Sequence, residues 1–137
     1  VIDYRNADVA AEVLRLTDNK GADLVLESVG TTFGASLSAA KRVTGRVVVF
    51  GTAGGEAAIT NWELLFKHQI HVIGLHIGVL IQTAPQIFSE LMGELSALKA
   101  AGVFTPGQPT MYNLTDGPKA LAELESRATV GKLALLP

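Results

Sequence analysis

The sequence contains no cysteine. Disulfides, thiolate catalysis and cysteine-ligated zinc are therefore excluded within it. Charge is also sparse: Asp, Glu, Lys and Arg make up 18% of the chain and the net charge is −2. With no basic excess, neither nucleic acid nor an anionic membrane surface is an expected partner. No apolar run reaches the roughly 18 residues that a membrane helix needs. The nearest, Ile70 to Ile81, is broken by His71, Gly74, His76 and Gly78. A cytoplasmic location is compatible with all of this.

Several motifs are missing as well. Gly34-Ala35-Ser36-Leu37-Ser38 is not a nucleophile elbow, because Ser38 stands where the second glycine is needed. Gly131-Lys132-Leu133 lacks the upstream glycine and the hydroxyl residue of a phosphate-binding P-loop. Nowhere is there a G-x-G-x-x-G turn, and Gly51, Gly54 and Gly55 have the wrong spacing to replace it. His68 and His71 are three apart, but no local carboxylate completes a metal set, so they read as surface and strand histidines. Glu123 and Glu125, two apart on a helix, face different directions and read as solvated charges.

What is present is aliphatic and ordered. Hydrophobic residues are 48% of 137, enough for one core. Three apolar runs end in glycine: Ala22 to Gly30, Arg46 to Gly51, and Ile70 to Gly78. Near-continuous runs of this kind suit parallel strands covered on both faces. Between them the spacing predicts helices over 6–17, capped by Asn6 or Asp8, and over 33–42. Thr60 and Glu63 form a capping-box pair for a short helix to Lys67, and Thr83 with Gln86 repeats the spacing before a long helix to Ala101. Ile87, Phe88, Leu91, Met92, Leu95 and Leu98 are that helix's expected inward positions. After the turn-rich Thr105-Pro106-Gly107-Gln108-Pro109, a β-α-β tail follows that need not join the same sheet. Alternation of this kind predicts an α/β doubly wound parallel sheet, and ligands of such sheets bind outside the strands' carboxyl ends. His76 falls near that edge. Val1-Ile2-Asp3-Tyr4 reads as the tail of a buried strand, so a piece of a longer polypeptide is expected.

Gly21 to Gly30, with its G-x-D-x-V-x-[DE]-x-x-G pattern, Gly45 to Gly51, Val1 to Arg5 and the ending Leu124 to Pro137 together resemble the C-terminal part of the medium-chain dehydrogenase/reductase superfamily. The quinone oxidoreductase branch is the nearest subgroup, although Gly74-Leu75-His76 lacks that branch's serine or arginine-proline pattern. The resemblance covers the whole chain. It implies a partial Rossmann domain over 1–104, lacking its first β-α-β unit, and a segment over 105–137 that returns to the catalytic domain. It implies NADP(H) as cofactor, with NAD possible, and no zinc in this chain. Ser28, Val29 and Gly30 would border the adenine-side ribose. Phe50, Gly51 and Thr52 would border the nicotinamide. Gly74, Leu75, His76 and Ile77 would grip its carboxamide through backbone groups, and Lys132 would reach the phosphates. The implied parent moves hydride between nicotinamide and a quinone, enone or carbonyl/alcohol substrate, and this chain alone is expected to be inactive. An edge strand near 70–77 implies a homodimer. The competing reading is a non-catalytic fragment that serves as a dimerisation module. A methyltransferase-like reading lacks its early glycine loop and the acidic residue after it.

Overall fold

The computed structural model describes residues 1–127 and 129–137; Ala128, within the C-terminal stretch quoted above, lies outside the described residues. The chain divides into two compact units, Val1–Pro85 and Gln86–Pro137.

The first unit is built on a parallel sheet of order β1-β2-β3, with β1 Leu24–Glu27, β2 Arg46–Val49 and β3 His71–Gly74. The strands are short and the register is regular: Leu24, Arg46 and His71 lie abreast at one end, Glu27, Val49 and Gly74 at the other. Helix α1 (Val9–Leu16) starts where Asp8 caps it, its carboxylate accepting from the Ala11 N–H at 3.0 Å. Helix α2 (Phe33–Ala39) follows β1 directly. Side-chain alternation puts Val25, Val47 and Val49 on one sheet face, where they meet Phe33, Leu37 and Ala40; Val47 is fully buried. This is the core.

The other face is not covered within the unit. Leu24 is 53% and Leu26 66% exposed. The expectation of strands covered on both faces is thus corrected: an unbroken aliphatic run says that both faces are apolar, not that the same unit supplies both covers. The opening residues are corrected too. They form a turn in which the Asp3 carbonyl accepts from Asn6 and Ala7 N–H groups, not a strand. A strand needs a neighbour to pair with, and among the described residues Val1-Ile2 enters no strand pairing.

The Thr60–Glu63 capping box forms in full. The Glu63 carboxylate accepts from the Thr60 N–H at 3.0 Å and its hydroxyl at 2.8 Å, while the Thr60 hydroxyl accepts from the Glu63 N–H at 3.2 Å. The turn it opens widens into a π-helical segment, Glu63–His68. After β3 the expected strand to Ile77 is replaced by a helix, α3 (Ile77–Thr83). Thr83 does not cap the next helix; as the last residue of α3 its hydroxyl donates to the Val79 carbonyl at 2.8 Å.

In the second unit, α4 (Pro85–Ala100) leads to β4 (Thr110–Asn113), a 3-10 turn at Leu114–Asp116, α5 (Gly117–Glu125) and β5 (Leu133–Leu136). β4 and β5 pair in parallel as a separate small sheet, Thr110 opposite Leu133, as the tail's sequence allowed. The inward stripe predicted for α4 is not buried: Ile87, Leu91, Met92, Leu95 and Leu98 stand 44–52% exposed. Spacing at three and four residues marks an apolar stripe, but the covering surface is not encoded in the helix itself.

Candidate functional site

Parallel register brings the three carboxyl ends side by side, and the chain continues past each in step. The Phe50 N–H donates to the Glu27 carbonyl at 2.9 Å, and the Leu75 N–H to the Val49 carbonyl at 2.8 Å. The glycine-rich loop after β2 then folds back on the turn after β1, with the Gly54 N–H donating to the Val29 carbonyl at 2.7 Å. Two glycines make this closure possible. Gly30 has φ +86°, and a Cβ there would lie 1.8 Å from the Gly55 carbonyl oxygen. A Cβ on Gly51 would lie 2.7 Å from the Ser28 carbonyl oxygen. Gly74 is different: a Cβ there would meet no atom within 4 Å. The fold does not require glycine at 74.

Between the ends of β2 and β3 lies an open cleft of about 530 Å³. Phe50, Gly51, Thr52, Gly74, Leu75 and His76 all line it, with Val79, Leu80 and Thr83 of α3 as its far wall. Gly30 lines an adjoining cleft of about 380 Å³ together with Thr52, Gly74 and Glu56. Ser28 and Val29 face a third hollow, which α1 and α2 also border. Ile77 opens α3 and does not line the first cleft. Lys132 belongs to the second unit, directly before β5, where its carbonyl accepts from the Thr110 N–H at 2.9 Å.

His76 is held by the helix it begins. Its backbone is extended (φ −127°, ψ 112°), and its Nδ1 accepts from the Val79 N–H at 3.2 Å. The imidazole thus does the work of an N-cap oxygen. With Nδ1 accepting, Nε2 is the ring nitrogen placed to donate. The Cε1–Nδ1 edge of the ring lies against Gly78, where a Cβ would come within 2.9 Å of Cε1. Glycine at 78 makes room for the histidine.

Sequence reasoning assigned no role to Glu27, yet it is the most engaged side chain of the edge. It is 2% exposed. Its Oε1 accepts from the Val29 N–H at 2.7 Å and the Gly30 N–H at 2.9 Å, and the Thr32 hydroxyl bridges both oxygens at 2.9 Å. The Ser36 hydroxyl donates to Oε2. Burial pushes this carboxyl up, but the hydrogen bonds from Ser36, Gly30, Val29 and Thr32 outweigh it and hold the carboxyl below its usual range. Glu27 ties the end of β1 to the first turn of α2. The signal was an acidic residue at a core-facing position of an aliphatic run.

Two further titratable groups have structural partners. His68 is buried, and desolvation, with Lys67 beside it, depresses its pKa although it donates to the Leu37 backbone. Glu123 is not simply solvated: the Tyr112 hydroxyl donates to it at 2.5 Å, a bond that raises the tyrosine's pKa. Among the described residues no three His, Asp or Glu side chains come together as a metal set, and no helix is long and apolar enough to cross a membrane.

Comparison with known proteins agrees with this architecture. Residues 1–135 match the family described as zinc-binding dehydrogenase. The chain is 33% identical over 141 aligned positions to a quinone oxidoreductase of Salmonella typhimurium, covering all of this chain and 42% of that protein. Among solved structures, a quinone oxidoreductase of Pseudomonas syringae pv. tomato superposes with a TM-score of 0.82 at 34% identity, over 99% of this chain and 42% of that one. The Escherichia coli quinone oxidoreductase complexed with NADPH superposes with a TM-score of 0.81 at 32% identity, over 100% of this chain and 43% of that one. The chain thus spans about two fifths of the length of these relatives. It belongs to the zinc-binding dehydrogenase family of the medium-chain dehydrogenase/reductase superfamily, on the quinone oxidoreductase branch.

Proposed function

We propose that this chain is the C-terminal part of a cytoplasmic NADP(H)-dependent oxidoreductase acting on a quinone, enone or carbonyl/alcohol substrate. One observation carries the reading: six of the seven residues expected at the nicotinamide, all but Ile77, line one cleft, and its Gly74 leaves space that the fold itself does not use. When bound, the dinucleotide supplies the hydride. The protein's part is placement. Gly51 and Thr52 line the cleft, and Gly74 lets a planar ring approach the end of β3. The Leu75 N–H is engaged by Val49 and the His76 carbonyl by Leu80, so the Leu75 carbonyl and the His76 N–H are the groups left to meet a carboxamide. Gly30 and its neighbours Ser28 and Val29 border the ribose side. Lys132, in the second unit, is the basic residue that the family reading assigns to the phosphates, and NAD in place of NADP is accommodated by the same backbone contacts. In this reading 1–104 is the partial cofactor domain and 105–137 the segment returning to the catalytic domain.

The test is made at two levels. The full-length polypeptide carrying this chain should bind NADPH and oxidise it with a quinone or enone; absence of NADPH binding overturns the reading. The 137 residues alone, which lack a glycine fingerprint for the pyrophosphate, should bind NADPH weakly or not at all by calorimetry. Micromolar affinity would contradict that.

A second reading, a dimerisation module, draws on β3. It is an edge of its sheet and all its residues are exposed, which leaves a row of backbone groups open to a second copy. Light scattering on the chain should then give a dimer, and a monomer at high concentration would count against it.

A further inference from the structure

The cleft between β2 and β3 is lined by backbone, apolar side chains, two threonines and one histidine. Among its lining residues His76 is the only titratable group, and Glu27 and Glu56 lie in the adjoining cleft that shares Val49, Thr52 and Gly74. Two features fix the imidazole. Nδ1 holds the Val79 N–H, and the Cε1–Nδ1 edge of the ring packs against Gly78. With the Val79 N–H on Nδ1, Nε2 is the ring nitrogen left to donate. The consequence is a single N–H, on Nε2, with no acceptor among the described residues.

We propose that His76 is a hydrogen-bond donor, through Nε2, to a carbonyl-type oxygen of the substrate seated in this cleft. The proposal rests on the oxidoreductase reading above and narrows it to substrates that present an oxygen acceptor beside the nicotinamide. A neutral imidazole polarises such a carbonyl rather than protonating it, because giving up its only proton would leave an imidazolate. His76 therefore selects and positions the substrate, and the proton that completes a reduction comes from elsewhere. The geometry also accounts for Gly78, which no expected site role had explained: any larger residue there would displace the ring.

The experiment uses the full-length polypeptide and its His76→Asn and His76→Ala variants. Asparagine keeps a side-chain acceptor for the Val79 N–H, while its amide is too short to present the Nε2 donor. Imidazole nitrogen NMR of the protein without cofactor should show His76 as the neutral Nε2–H tautomer at neutral pH; an Nδ1–H tautomer or an imidazolium overturns the proposal. With NADPH and a quinone or enone, His76→Asn should lose at least tenfold in kcat/KM while its melting temperature and NADPH affinity stay close to wild type. A wild type that is active together with an Asn variant within threefold of it overturns the proposal and leaves the oxidoreductase reading standing. A wild type that does not bind NADPH overturns the oxidoreductase reading itself. His76→Ala losing stability in α3 while His76→Asn does not separates the cap from the donor.

Discussion

The end of β1 and the end of β3 are written alike in the sequence, as aliphatic runs closed by glycine, yet they are built differently. At β1 the backbone is closed by the fold. Glu27 collects N–H and hydroxyl donors from the turn into α2, and Gly30 has no room for a side chain. At β3 the end is open. Gly74 faces empty space, and the next polar side chain, His76, engages only the helix that follows. A glycine at the first place serves the fold, whereas at the second the fold makes no such demand, which is why we propose a ligand-facing role there. The same letter carries two kinds of information, and only its surroundings tell them apart.

The sharpest way to break this contrast is at Gly30. Gly30→Ala combines a left-handed backbone with a clash against the Gly55 carbonyl, so it should cost about 3 kcal/mol or more in denaturant unfolding. A variant that unfolds like wild type would show that the β1 end is not locked. Glu27→Ala should come next, at roughly 2–3 kcal/mol, because it leaves buried donors without their carboxylate. Its pH signature follows from its depressed pKa. The folded carboxyl lies below the unfolded value near 4.5, so its stabilisation is complete above pH 4.5 and is lost as pH falls through the folded value. Urea midpoints measured from pH 6 downward should fall for wild type below about pH 4.5 more steeply than for Glu27→Gln. Parallel curves would remove Glu27 from the account. At the open end, His76→Ala should cost about 1 kcal/mol, confined to α3 and visible as faster amide exchange at Val79. Unchanged exchange there would mean that the imidazole is not the cap.

Much of the fold was legible. The parallel class, the Asp8 cap and the Thr60–Glu63 box follow from periodicity and turn chemistry, and the parallel reading also puts the three glycine-ended strand ends along one edge. What was not legible depends on partners that a single sequence does not name. The run Ile70 to Ile81 is apolar enough for a strand throughout, and only the tertiary setting turns it into β3, a cap and α3. The stripe on α4 and the outer face of β1 are apolar by pattern, but pattern does not say what covers them. Glu27 was visible as an oddity and not as an anchor, because its donors arrive from Thr32 and Ser36 through the packing of α2.

The smallest expected stability effect belongs to Gly74, and it gives the most direct test. Gly74→Ala in the full-length polypeptide should change unfolding free energy by no more than about 0.5 kcal/mol, since its Cβ meets nothing and alanine restrains the unfolded chain. Its NADPH affinity, measured by calorimetry beside wild type, should fall at least tenfold, because the added methyl occupies the space kept for the nicotinamide. A stable Gly74→Ala protein that binds NADPH as tightly as wild type would contradict the assignment of this cleft.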